Sequence, residues 1–321
     1  MKGTHHVIVE NKRLHYEFDL RRNITVLKGE SASGKTTLID MIQEYMNLGQ
    51  DSMVNVYADK RCGVISGNTW RGQLSEFSDS LIFIDEGNSF VLSDEFASTI
   101  KNTDNYYLIV TREGMVNLPY SVDEIYGIHH SGKYGDLRRC YQEFYHIYGN
   151  ADKEEKVFPE VIITEDSNSG FQFFDAIGKE KGIEIIAGSG KSNILDIITR
   201  LKSDKEVLIV ADGAAFGSEI ERVIKYTEAV GHIKLYLPES FEWILLHSGI
   251  LKNNEIKNIL ENPGDYINSE EYFSWERFFT RLLIDITKDT YLRYNKQKLN
   301  KAYLQGTIRN EIIKSMENIF F

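Results

Sequence analysis

Cysteine is scarce in this chain. Only Cys62 and Cys140 occur among 321 residues, far apart and outside any paired motif. That excludes a disulfide framework and a cysteine-rich metal cage, and reads as two reduced thiols in a cytoplasmic setting. Proline is nearly as rare, with four residues, and no low-complexity run exists, so long disordered linkers are not expected. No apolar run approaches the roughly 18 residues that a membrane span needs. The first residues lack the pattern of a secretory signal. No membrane association is therefore expected. Positive charge is in deficit: 37 Lys and Arg face 48 Asp and Glu, a formal charge of −11. The chain as a whole does not attract nucleic acid, so any such contact must use a local patch.

The strongest positive feature is Gly29-Glu30-Ser31-Ala32-Ser33-Gly34-Lys35-Thr36. It fits G-x-x-x-x-G-K-[ST] in full. Ile24-Thr25-Val26-Leu27 before it reads as a short buried strand. Leu38, Met41, Ile42 and Tyr45 after it form one stripe of an amphipathic helix. A phosphate cradle needs this strand–loop–helix setting. Its glycines let backbone N–H groups turn inward, and the helix N-terminus faces the anion. Lys35 would reach the β/γ-phosphates, and Thr36 would offer its hydroxyl to Mg²⁺. ATP with Mg²⁺ is the expected ligand, with Gly29, Ser31, Ser33, Gly34, Lys35, Thr36 and Thr37 as the binding set.

Further elements surround that loop. Val7, Val9, Leu14, Tyr16, Phe18 and Leu20 alternate across a turn at Asn11-Lys12, which predicts a hairpin. Leu81-Ile82-Phe83-Ile84-Asp85-Glu86 reads as a buried parallel strand ending in two acids at the nucleotide. Asp85 would hold the Mg²⁺ shell and Glu86 would polarise the attacking water. Tyr107-Leu108-Ile109-Val110-Thr111 is another strand. Thr111 and Arg112 at its end could sense a γ-phosphate, or Arg112 could simply pair with Glu113. His129-His130 reads as partly exposed strand or turn residues rather than a metal site, because no third ligand has the right spacing.

On the hairpin, the phosphate loop and the strand at 81–86, this half resembles the ABC-type ATPase domains of OLD-family nucleases and their anti-phage relatives. It departs from them in one place. Between Cys62 and Ser80, Gly72-Gln73-Leu74-Ser75 is too degenerate to serve as the signature that such domains present to a second subunit.

After a charged stretch at 152–156, suited to a linker, strands and helices alternate. Strands are expected at 161–164, 183–187, 207–210 and 233–237, with helices at 171–177, 194–201 and 220–226 between them. That spacing predicts a parallel, doubly wound sheet. Glu165 ends the first strand and Asp212 follows the third. Gly188-Ser189-Gly190-Lys191-Ser192-Asn193 lies between them. It is not a second phosphate loop, because Ile185 stands where the first glycine would be, but its glycines could bring Lys191 close to the acids.

These residues resemble TOPRIM domains, most of all those of OLD-type nucleases and of the effector in the PARIS anti-phage system. The resemblance implies a site at Glu165 and Asp212 for Mg²⁺, with Mn²⁺ as an alternative, and a phosphodiester cut aided by Lys191. Ala214 stands where the second aspartate of the family's Asp-x-Asp pair would fall, and Asp166 follows the glutamate in place of glycine. Glu219 and Asp166 are the nearby acids that could substitute.

Residues 273–321 read as helix throughout, with Phe278, Leu282, Ile286, Ile312 and Met316 as apolar stripes. Lys288, Arg293, Lys296, Lys298, Lys301, Arg309 and Lys314 face only Asp289 and Glu311 over 288–314, and Tyr291, Tyr294 and Tyr303 are interleaved. This is either a solvated face or a nucleic-acid surface where tyrosines stack on bases.

The expected architecture is α/β. A compact P-loop NTPase sheet over 1–150 precedes a TOPRIM-like parallel domain over 157–321 with a helical C-terminal extension. The expected role is a nucleotide-controlled, metal-dependent nuclease or effector in defence against phage or mobile DNA, as a homo-oligomer or with a protein partner. The alternative is a nucleotide-dependent sensor or scaffold that does not cleave. A small-molecule kinase fits less well, given the acidic strand end and the second α/β domain.

Overall fold

The computed structural model describes residues 1–29, 33–130, 140–148, 155–201 and 204–321. The chain is mixed α/β and divides into two compact units. One comprises Met1–Gly149 with Asn262–Phe273; the other comprises Asn150–Glu261 with Ser274–Phe321. Most of the charged stretch at 152–156 lies outside the described residues. No helix among them is long and apolar enough to cross a membrane.

The first unit is built on a nine-stranded sheet. Strands β1 (His5–Glu10) and β2 (Leu14–Leu20) pair antiparallel as the predicted hairpin. Their turn is fixed by the Asn11 side-chain oxygen, which accepts from the Arg13 and Leu14 amides at 2.8 Å each. Val7, Val9, Tyr16 and Phe18 are buried beneath it. Strand β3 (Ile24–Leu27) leads towards α1 (Lys35–Leu48), which buries Leu38, Ile39, Met41 and Ile42. Each such side chain contributes on the order of 1.5–3 kcal/mol.

Next come β4 (Asn55–Tyr57), β5 (Arg61–Val64), α2 (Trp70–Leu74), β6 (Ser80–Ile84), α3 (Asp94–Ile100), β7 (Tyr106–Val110), β8 (Ile125–His130) and β9 (Cys140–His146). The sheet order is β4-β1-β2-β9-β8-β3-β7-β6-β5. Strands β8, β3, β7, β6 and β5 run parallel to their neighbours in that series. Every residue of β3, β6 and β7 is buried, as parallel strands covered on both faces require. His129 and His130 sit exposed at the end of β8.

Residues 262–273 pack into this first unit. They include helix α9 (Pro263–Tyr266). Backbone hydrogen bonds join Gly3 to Gly264 at 2.8 Å and Ser269 to Met1 at 2.9 Å. The Asn23 side chain donates to the Phe273 carbonyl at 2.8 Å.

The second unit holds a four-stranded parallel sheet. Its strands are β10 (Val161–Thr164), β11 (Glu184–Ala187), β12 (Val207–Val210) and β13 (Ile233–Tyr236), in the order β11-β10-β12-β13. The crossovers are α4 (Ser169–Lys181), α5 (Ile194–Arg200) and α6 (Ile220–Val230), as the alternation predicted. Helices α4 and α6 stop at left-handed glycines, Gly182 at φ 76° and Gly231 at φ 86°. Helices α7 (Phe241–His247), α8 (Asn254–Glu261), α10 (Trp275–Thr287) and α11 (Gly306–Lys314) follow.

The C-terminal part is not helical throughout. Residues 288–300 form no helix, and 301–304 are a single 3₁₀ turn. Side chains there satisfy the backbone in place of helical bonds. Thr290 accepts from the Leu292 amide, Asn295 from Gln297 and Lys298, and Asn300 from Ala302. The fully buried stripe of α10 is Trp275, Phe279, Leu283 and Thr287, beside the expected Phe278, Leu282 and Ile286, which are half-buried. Ile312 and Met316 are buried as expected.

Helix α4 lies against β11 through Gly178. A Cβ there would stand 2.5 Å from Ile185 Cγ1 and 2.6 Å from the Ile183 carbonyl oxygen. Alanine gains about 1 kcal/mol of helix propensity over glycine. Backbone cannot yield as a side chain can, so overpacking prevails, at about 1–3 kcal/mol. Gly178→Ala should therefore lower the urea midpoint of the second unit. An unchanged or raised midpoint would show that the helix moves freely off the strand.

Candidate functional site

The expected phosphate-loop segment lies between β3 and α1, with residues 30–32 outside the described residues. Gly29 follows β3 at φ 128°, and Gly34 precedes α1 at φ 93° in the left-handed region. Both conformations favour glycine. A Cβ on Gly34 would meet the Tyr16 hydroxyl at 2.9 Å. That hydroxyl donates to the Gly34 carbonyl at 3.0 Å, and burial pushes it up to about 12. Among the described residues no side chain caps the start of α1, and its first turn holds no acid. Its amides and positive dipole end are therefore left for an anion.

The Lys35 ammonium turns back towards Gly29 and Ser33. It donates to the Gly29 carbonyl at 2.9 Å and to Ser33 Oγ at 2.8 Å. Burial holds it below the usual lysine value, partly offset by Glu86. Thr36 donates to Asp85 Oδ1 at 3.3 Å, so the two residues expected around Mg²⁺ already meet. Thr37 is exposed beside them. Ser31 lies outside the described residues.

Strand β7 lies between β3 and β6, so the ends of all three fall along one edge. Arg112, beyond β7, pairs with Glu86 at 2.5 Å. Glu86, expected to polarise water, thus has a cation partner, and Arg112 is held there. Thr111 accepts from the Glu113 amide at 3.1 Å. Gln73, in the degenerate signature stretch, is occupied by Ser66 and Thr69.

In the second unit, the adjacent strands β10 and β12 place Glu165 and Asp212 at one carboxyl edge. The Asp212 amide donates to Glu165 Oε2 at 2.9 Å. The glycine-rich turn fits beneath them, because a Cβ on Gly188 would meet the Thr164 and Glu165 carbonyls at 2.8 and 3.1 Å. Lys191 reaches from this turn to the Ala215 carbonyl at 2.8 Å. Burial lowers its pKa, while Glu165, Glu219 and Glu276 act to raise it.

Burial also pushes the Glu165 carboxyl up to about 7, with Glu276 the strongest carboxylate acting on it. Asp212 is raised well above its ordinary range by burial, then by Glu276 and Glu165. Neither expected substitute for the second aspartate stands open. Asp166 accepts from the Phe171 amide at 3.2 Å, and Glu219 pairs with Arg222 on α6. Ala214 is buried.

Two acids without any local motif join this neighbourhood. Glu276 opens α10 and pairs with Lys296. Glu242, on α7, is buried, 3.6 Å from the Lys296 ammonium, and accepts from the Tyr294 hydroxyl at 2.8 Å. Among the described residues, no three His, Cys, Asp or Glu side chains are arranged to hold a metal ion. Tyr294 and Tyr303 are buried and cannot stack on bases; Tyr291 is exposed. Arg309 pairs with Glu180.

No known protein-family profile matches the chain, and no curated protein is significantly similar to it in sequence.

Two outcomes follow. If ATP seats on Gly29–Thr37, Lys35→Ala should weaken its binding about tenfold to hundredfold, as expected for one charge-assisted contact worth roughly 1.5–3 kcal/mol. Equal affinities by calorimetry would place the nucleotide elsewhere. The second concerns pH. Between about 4.5 and about 7, the folded chain retains the Glu165 proton that the unfolded chain has lost. The second unit should therefore lose stability as pH rises through that window. Glu165→Gln should flatten the decline in urea midpoint; an equally steep decline in the variant would assign it to other groups.

Proposed function

We propose that the first unit binds ATP–Mg²⁺ and that the second is a TOPRIM-like module that cuts a phosphodiester with a divalent cation. The observation that carries the second half is the pairing of Glu165 and Asp212 at one carboxyl edge, joined by the 2.9 Å bond between them. Both carboxyls hold protons more tightly than usual. A dication arriving with a phosphate would displace those protons and relieve the mutual repulsion. Two carboxylates alone bind Mg²⁺ weakly, because the ion keeps most of its waters until a phosphate joins. The cation, once bound, would supply charge stabilisation at the phosphorus centre. Lys191 is suited to balance the acids and to stabilise an anion beside them. In the first unit, Gly29, Ser33, Gly34 and Lys35 would hold the phosphates, with Thr36 and Asp85 towards Mg²⁺.

The resemblance to OLD-type and PARIS-type proteins adds the biological setting: a nucleotide-controlled effector in defence against phage or mobile DNA. The lack of a preformed three-ligand group among the described residues favours the rival reading, a nucleotide-dependent scaffold without cleavage.

A nuclease assay separates the two. Single-stranded DNA, duplex DNA and RNA are offered with Mg²⁺ or Mn²⁺, with ATP and with a non-hydrolysable analogue. Glu165→Ala and Asp212→Ala should each abolish cleavage, by at least 10²-fold, while ATP binding is retained. No metal-dependent cleavage under any condition leaves the scaffold reading. Cleavage that survives both substitutions places the chemistry at another site.

A further inference from the structure

A cavity of about 310 Å³ opens in the second unit, lined by the apolar Ile284 and by Lys288, Arg293, Tyr294, Asn295, Lys296 and Gln297. Three of these residues are cations in a chain of net charge −11. Over 288–301 there are five basic residues and one acid, the strongest local reversal of sign in the C-terminal part.

The wall is held in place by the hydrogen bonds that replaced a helix. The Tyr294 amide donates to Thr287 Oγ1 at 2.9 Å, and the Asn300 side chain donates to the carbonyls of Tyr291 and Arg293. Tyr303 donates to the Leu292 carbonyl at 2.6 Å. The same segment is stitched to the start of α4, a few residues beyond Glu165. The Ser169 amide bonds the Lys296 carbonyl at 2.9 Å, and Gln172 bonds both the Gln297 carbonyl and the Leu299 amide.

The three cations are used differently. Lys296 pairs with Glu276 and stands 3.6 Å from Glu242, so it belongs to both the cavity wall and the acid cluster. Lys288 and Arg293 are exposed, and among the described residues neither has a carboxylate partner. Two exposed cations with no carboxylate partner among the described residues, beside a third committed to the acids, suit an anion on this wall.

We infer that this cavity seats a backbone phosphate of a single nucleic-acid strand, and that Lys288 and Arg293 make the contacts that hold the strand at the second unit. This rests on the phosphodiester reading of Glu165 and Asp212 and names the surface that would deliver its substrate. Tyr294 and Tyr303 are buried and only Tyr291 of the three is open to a base, so binding should be chiefly electrostatic and tolerant of sequence.

The test uses the full chain and fluorescein-labelled single-stranded DNA and RNA oligonucleotides, with anisotropy read over a series of salt concentrations. The variants are Lys288→Ala/Arg293→Ala and the charge-preserving Lys288→Arg/Arg293→Lys. The alanine pair should bind about tenfold to hundredfold more weakly, and its salt slope should fall by about 1.4, the share of two single-strand phosphate contacts. The charge-preserving pair should regain most of the affinity. Both residues are exposed, and ATP binding should not change in either variant. Equal affinity and slope in wild type and alanine pair would overturn the inference; if Glu165-dependent cleavage persists, the phosphodiester reading survives alone. Displacement of the oligonucleotide by inorganic phosphate at comparable concentration would also overturn it, marking a small-anion seat. If the wild type binds no strand and cuts none, both readings fail together.

Discussion

Parallel pairing of short, fully buried strands sets the geometry of both units. Strands β3, β6 and β7 offer no exposed residue, and β10 and β12 offer none either. Polar groups can then emerge only where the strands stop. Because the strands run in one direction, they stop on one edge. Gly29, Asp85 and Thr111 emerge on that edge of the first unit, and Glu165 and Asp212 on that of the second. The apolar runs and the polar ends are thus one feature: the first fixes the sheet, and the sheet gathers the second.

The two edges meet the cost of concentrated charge differently. In the first unit each charge is answered locally: Arg112 faces Glu86, Thr36 donates to Asp85, and Lys35 is satisfied by the Gly29 carbonyl and the Ser33 hydroxyl. In the second, acids outnumber the cations that reach them. Lys296 is shared by Glu276 and Glu242, and Lys191 ends on a carbonyl. Burial first, and the neighbouring acids after it, make Glu165 and Asp212 carboxyls that resist ionisation. Such a cluster gives up stability that an arriving cation can restore.

Much of this was legible along the chain. The hairpin followed from strict alternation around Asn11, and the second sheet from strands spaced by helices. The G-x-x-x-x-G-K-[ST] motif marked the segment between β3 and α1. What escaped was tertiary or locally ambiguous. Glu276 lies in the first turn of a helix, where an acid ordinarily complements the dipole, and only folding brings it towards Glu165. Residues 288–300 have the charge and aromatic content of a helix, but Thr290, Asn295 and Asn300 cap backbone groups in competition with it. Tyr294 and Tyr303 look like stacking residues in sequence and are core residues in the fold. Residues 262–273 gave no sign that they pack with the chain's first residues through Gly3, Gly264, Met1 and Ser269.

The central claim is that both edges hold a divalent cation, one with nucleotide and one with a phosphodiester. The most direct measurement is anomalous scattering at the manganese edge from crystals of the full chain grown with Mn²⁺, a non-hydrolysable ATP analogue and a single-stranded oligonucleotide. The account predicts one peak beside Thr36 and Asp85 and a second at Glu165 and Asp212, the second lost in Asp212→Ala. A peak in the first unit alone, with an ordered strand in the second unit and no metal at Glu165 and Asp212, would contradict it.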